Sequence, residues 1–107
     1  SMQPILVTTS CATRETAQEI ATRLLNQRLV ACAQVSGPVI SSYWWQEHIA
    51  SEPEYLVKMK SVRSLFPKIS QQLAQIHPYQ VPEIIAVDIV HISDAYRDWL
   101  ISELHRG

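Results

Sequence analysis

Apolar and polar positions along the chain switch between two periods, and the switches outline the elements. Residues 5–9, ILVTT, form a short β-rich run with little polarity and predict a strand. Thr13 is placed to cap the helix that follows. There Ala17, Ile20, Ala21, Leu24, Leu25 and Arg28 recur at three and four, predicting one stripe over 14–28. Residues 29–45, LVACAQVSGPVISSYWW, read as extended with an interruption at Gly37-Pro38 that suits a bulge or bend. The polar stretch QEHIASEP, 46–53, predicts a hairpin loop, and YLVKM, 55–59, a strand.

Ser64 can cap a second helix, because Pro67 then falls in the first turn, where a missing N–H costs little. Its stripe is Leu65, Ile69, Leu73 and Ile76, and Pro78 stops it by pushing the preceding residue out of the helical region. Residues 84–90 read as the last main strand. Ser93 or Asp94 then caps a terminal helix with Tyr96, Trp99, Leu100 and Leu104 on its docking stripe. The order β-α-β-β-α-β plus a C-terminal helix is the split βαβ arrangement of an α+β, ferredoxin-like sandwich. Both main helices cover one face of a four-stranded antiparallel sheet. A hydrophobic content of 47% over 107 residues suits a single domain spanning 2–107, with Ser1 read as a residue added ahead of Met2.

Two consequences follow from this topology. Cys11 lies at the top of the first strand and Cys32 enters the second from the bottom. A five-residue strand is about 17 Å long, beyond the reach of a disulfide, so free thiols are expected. The last strand is apolar on both sides, with Ile85, Val87 and Ile89 on one and Ile84, Ala86 and Val90 on the other. The helices cover one face only, so a second copy is the economical cover for the other. The long second strand ending in SYWW would project past the sheet and offer its edge.

Composition narrows the function classes. Nine basic residues against ten acidic leave no surplus to attract nucleic acid. The apolar runs fall short of the roughly 20 residues of a membrane span, and no signal segment opens the chain, so a cytoplasmic protein is expected. Two glycines exclude a Gly-rich phosphate loop, and the four histidines form no HxxxH or HExxH pair. No nucleophile with an oxyanion donor set can be named, so a binding protein is expected rather than an enzyme; His77 as a general base ranks last.

HPYQVPEII, 77–85, concentrates the remaining chemistry. His77 can ligate a metal or shuttle a proton, or simply close a helix whose last carbonyls favour its positive form. Glu83 is either a solvated rim charge or, with Lys60, part of a cleft. Tyr79 packs its ring and points its hydroxyl at a polar partner. Cys32 reads as a small core residue, and His48, His91 and His105 as surface. Trp44 and Trp45 alternate along a strand and face opposite sides.

ACA at 31–33, GPVISSYWW at 37–45, Glu54, the strand ending in Lys60, HPYQVPEII, and Tyr96 with Trp99 follow one another in an order that resembles the CutA family of divalent-cation tolerance proteins. The resemblance runs from Ile5 to Leu104. It implies a homotrimer of ferredoxin-like subunits whose extended hairpins pair across copies, with a trimer similar to the P-II signalling proteins. It implies a response to divalent metal ions, with copper as the cofactor, or alternatively an adaptor that contacts another protein. The implied metal ligands are His77, Glu83 and a cysteine at the end of strand one. Thr9 stands at that position and Cys11 two residues on, about 7 Å along the strand. Lys60, Tyr79 and Trp45 are the implied lining of the inter-subunit cleft.

Overall fold

The computed structural model describes residues 2–105. The elements are β1 (Pro4–Cys11), α1 (Arg14–Asn26), β2 (Cys32–Trp45), β3 (His48–Val62), α2 (Phe66–Ile76), β4 (Ile85–Asp88) and α3 (Asp94–Ser102). The sheet order is β2-β3-β1-β4, and each neighbouring pair is antiparallel. β3 is thus inserted between β1 and β2, the split βαβ arrangement expected from the sequence. Alternate residues Ile5, Val7, Thr9 and Cys11 of β1, with Val57 and Met59 of β3, are buried together with Ile20 and Leu24 of α1 and Ile69 and Leu73 of α2. Each large apolar side chain in that layer is worth about 1.5–3 kcal/mol of transfer free energy.

The helix ends show which local signals were readable. The Thr13 hydroxyl accepts from the Thr16 N–H at 3.1 Å, as its position predicted. The stripe predicted to run to Arg28 stops at Asn26. There the Arg28 N–H donates to the Leu25 carbonyl and the Leu29 N–H to the Leu24 carbonyl, with Arg28 left-handed at φ 55°. That is a Schellman ending without the glycine that usually announces it, closed by contact-forming positions Leu24 and Leu29, both buried. Ser64 does not cap α2. It lies within a 3-10 turn, Arg63–Leu65, that feeds directly into the helix, and Leu65 takes the cap position with no side-chain bond. Pro67 does occupy the first turn, and His77 is extended (ψ 133°) ahead of Pro78.

The largest departure is the segment 46–53. It is not a loop but most of a ladder: β2 and β3 pair from Val39↔Glu54 to Trp45↔His48, turning only at Gln46 and Glu47. Both turn residues have positive φ, 47° and 68°, as a two-residue hairpin of primed type requires. Gln-Glu gives no warning of that turn, and the polar side chains reflect exposure, not irregular backbone. The register shifts between Ser36 and Val39, so Gly37-Pro38 is the bulge the sequence indicated. β4 is shorter than the predicted 84–90, ending at Asp88, and is exposed throughout. α3 is capped by Ser93 and docks through Leu100, with Leu104 buried just beyond its end, whereas Tyr96 and Trp99, expected on the docking stripe, are exposed. Cys11 and Cys32 are free thiols, opposite Tyr55 and Lys60 of β3 respectively.

Gly37 has φ +141°, and a Cβ there would lie 2.8 Å from the Glu54 carbonyl oxygen and 2.8 Å from the Tyr55 ring. Gly37→Ala should therefore cost more than about 1 kcal/mol, read as a lower denaturant midpoint at unchanged slope. An unchanged midpoint would show that the bulge relaxes freely.

Candidate functional site

Pro78 sets the site by halting α2 at His77, at the edge where β1 ends. The His77 Nε2 donates to the Ser10 carbonyl at 2.7 Å, and its Nδ1 accepts from the Tyr79 N–H at 3.0 Å. An N–H donor on one side and an acceptor on the other define one neutral tautomer, since a backbone carbonyl can only accept and an amide only donate. The Tyr79 ring lies 4.8 Å from the imidazole, and its hydroxyl donates to Glu54 Oε2 at 2.9 Å. Glu54 is buried, where an unpaired carboxylate would be costly, so this bond supplies the compensation burial demands. The expectation for Tyr79, ring packed and hydroxyl on a polar partner, is met.

Cys11 completes the inner wall. Its thiol points to the Thr13 carbonyl at 3.5 Å. Burial pushes the thiol's pKa up and the nearby Glu54 charge adds to that, against the opposing effect of the Thr13 hydrogen bond. It is a thiol at neutral pH. Next to Glu54 along β3, Tyr55 has Arg14 of α1 over its ring, 4.9 Å from the centroid, and Arg14 donates to the Gly37 carbonyl at 3.3 Å.

The other expected residues lie apart from this cluster within one chain. Lys60 pairs in register with Leu6 and Cys32, five positions along β3 from Tyr55, about 17 Å away. Its ammonium lies over the exposed Tyr96 ring, 5.5 Å from the centroid. Trp45 is at the turn of the hairpin. Glu83 is exposed beyond Pro82. Sequence reasoning missed Ser10 and Arg14 and used Glu54 only as a landmark of resemblance. Alternation gave no signal for Glu54, which falls on the opposite phase of β3 from the buried Val57 and Met59.

His77, Cys11 and Glu83 do not fit a metal centre in this geometry. Both imidazole nitrogens are already bonded, the Cys11 thiol is directed at the Thr13 carbonyl, and Glu83 is exposed. Among the described residues no three His, Cys, Asp or Glu side chains converge on a point that could hold an ion.

Residues 5–103 match the family model described as CutA1 divalent ion tolerance protein. A probable divalent-cation tolerance protein cutA homolog of Encephalitozoon cuniculi is 39% identical over 100 residues, covering 94% of this chain and 87% of the relative. Among solved structures, the divalent cation tolerance protein of Thermus thermophilus superposes with a TM-score of 0.92 at 32% identity, covering 95% of this chain and 99% of its own. CutA1 of Oryza sativa gives 0.94 at 26% identity over the whole of both chains.

Burial first, then the Glu54 bond and charge, raise the Tyr79 pKa well above its ordinary value of 10.0. A hydroxyl whose folded pKa is raised contributes stability that is complete below about pH 10 and lost as pH rises through the displaced value. Wild type should therefore show a falling alkaline limb of stability that Tyr79→Phe flattens. Parallel alkaline limbs in the two proteins would mean that Tyr79 ionisation is not linked to unfolding.

Proposed function

This chain belongs to the CutA1 family of divalent ion tolerance proteins, and from that premise we propose that it acts as a self-assembled homotrimer with ligand-binding clefts between copies. One observation carries the reading. Residues 39–54 form a two-stranded arm that, among the described residues, pairs with no third strand, because β1 ends opposite Tyr55. The arm exposes Ile40 (71%), Trp44 (74%), Trp45 (61%) and Ile49 (66%). A lone hairpin of that kind is marginal in water, and clustered apolar exposure marks an interface. β4 adds Ile85 and Val87, each more than half exposed on the edge strand.

A second copy answers both exposures by strand addition. A head-to-tail contact that closes on itself gives a ring, and the family resemblance sets the number at three. The same assembly supports the cleft: Lys60, Trp45 and Glu83, kept from Tyr79 in one chain, would be contributed by neighbouring copies. The ligand class is a small polar molecule or ion that a lysine and a carboxylate at an aromatic wall can hold. Copper is left out of His77 because both of its ring nitrogens are already engaged. The role is binding, not catalysis, in the cytoplasm, whose reducing poise suits two free thiols. An adaptor that contacts another protein through the tip is the second reading, favoured by the exposure of Trp44 and Trp45 at the turn.

Light scattering on the protein at micromolar concentration should return three times the 12.2 kDa chain mass. A species of 12.2 kDa would contradict the proposal.

A further inference from the structure

We infer that Arg14, His77 and Tyr79 are positioning residues that clamp the base of the β2–β3 arm from two elements, α1 and the loop after α2, and set its direction for assembly. The inference rests on the self-assembly reading above. The direction of the arm is decided over very few residues. The last β1–β3 pair is Cys11↔Tyr55, and the next residue of β3, Glu54, pairs with Val39 directly after the bulge. A bulge bends and twists its strand locally, and beyond it no third strand resists rotation.

The described contacts fall on this junction. From α1, Arg14 holds the Gly37 carbonyl and covers the Tyr55 ring. From the loop after α2, the Tyr79 hydroxyl holds Glu54 Oε2. Tyr79 is itself fixed by its N–H on His77 Nδ1 and by ring contact, and His77 is fixed on the Ser10 carbonyl at the end of β1. The chain of bonds runs from the rigid sheet, through the imidazole, to the foot of the arm.

Leverage makes the clamp matter. Six residue steps from Glu54 to His48 span about 20 Å, so a swing of roughly ten degrees at the base displaces the tip by about 3.5 Å. Hydrogen bonds between strands tolerate only a few tenths of an ångström, and neighbouring strands lie about 4.8 Å apart. An arm free to swing that far would miss its register on a neighbouring copy. Holding it in advance removes an ordering cost from association. Both nitrogens of His77 are occupied by this task.

Sedimentation of the full chain over a dilution series, with far-UV circular dichroism on the same samples, tests the inference. Tyr79→Phe leaves Glu54 buried without its donor. It should raise the concentration for half-dissociation at least tenfold while the dichroism is unchanged. Glu54→Gln keeps an acceptor for the Tyr79 hydroxyl and should stay within a few-fold of wild type. Should Tyr79→Phe fail to fold, Arg14→Ala acts from α1, leaves the buried bonds intact and should weaken assembly in the same way. Variants that assemble as tightly as wild type overturn the clamp while leaving the trimer standing. A wild type that never assembles overturns the assembly reading and takes the clamp with it. Copper(II) chloride titrated into wild type and His77→Ala should give the same heats. A stoichiometric site lost in His77→Ala would make His77 a ligand and overturn its assignment.

Discussion

β3 is longer than the strand that anchors it, and the rest of the molecule follows from that mismatch. Its 15 residues pair with the 8 of β1 only from Val62 back to Tyr55. Up to that point β3 is central, flanked on both sides and buried on its helix face by Val57 and Met59. Past it the strand continues with β2 alone. A sheet interior gives way, within one residue, to a ribbon with two open edges. Such a ribbon persists in water only if something else takes its edges and its apolar side chains. The exposed β4 poses the same demand at the opposite edge of the sheet, and under the proposed assembly one kind of contact between copies would meet both.

Where the anchored and free parts of β3 meet, the protein places most of its buried polar chemistry. Glu54 is an expensive residue to bury, and Tyr79 compensates it with a hydroxyl that has no reason to ionise at physiological pH. His77 works here as a two-ended connector, one nitrogen donating and the other accepting, between Ser10 and Tyr79. Each bond is worth on the order of 1 kcal/mol net, small beside the apolar layer. Directionality is what apolar packing cannot provide, and an arm that must meet a neighbour in register needs it.

Much of the fold was legible because burial and backbone period agree in it. The Ala17–Leu24 stripe, the Thr13 and Ser93 caps, the Gly37-Pro38 bulge and the stop at Pro78 all act locally, and each appears where the sequence placed it. The misses have a common cause. Arg28 in a left-handed helix ending and Gln46-Glu47 in a primed turn adopt conformations that glycine or asparagine normally signal. Their tertiary surroundings hold them there without a local mark. In the candidate site, His77 and Tyr79 stood out through the prolines around them. Glu54 and Arg14 did not, because their importance comes from a junction that exists only once β1 has ended and the bulge has formed.

Backbone hydrogen exchange across residues 39–54, followed as the protein is diluted through its dissociation range, tests the central claim most directly. The account predicts slow exchange in the assembled protein, comparable to β1 and the sheet half of β3, and a loss of that protection confined to the arm and β4 as copies separate. Arm amides that remain equally protected in the separated chain would contradict it, because the ribbon would then be stable without a neighbour.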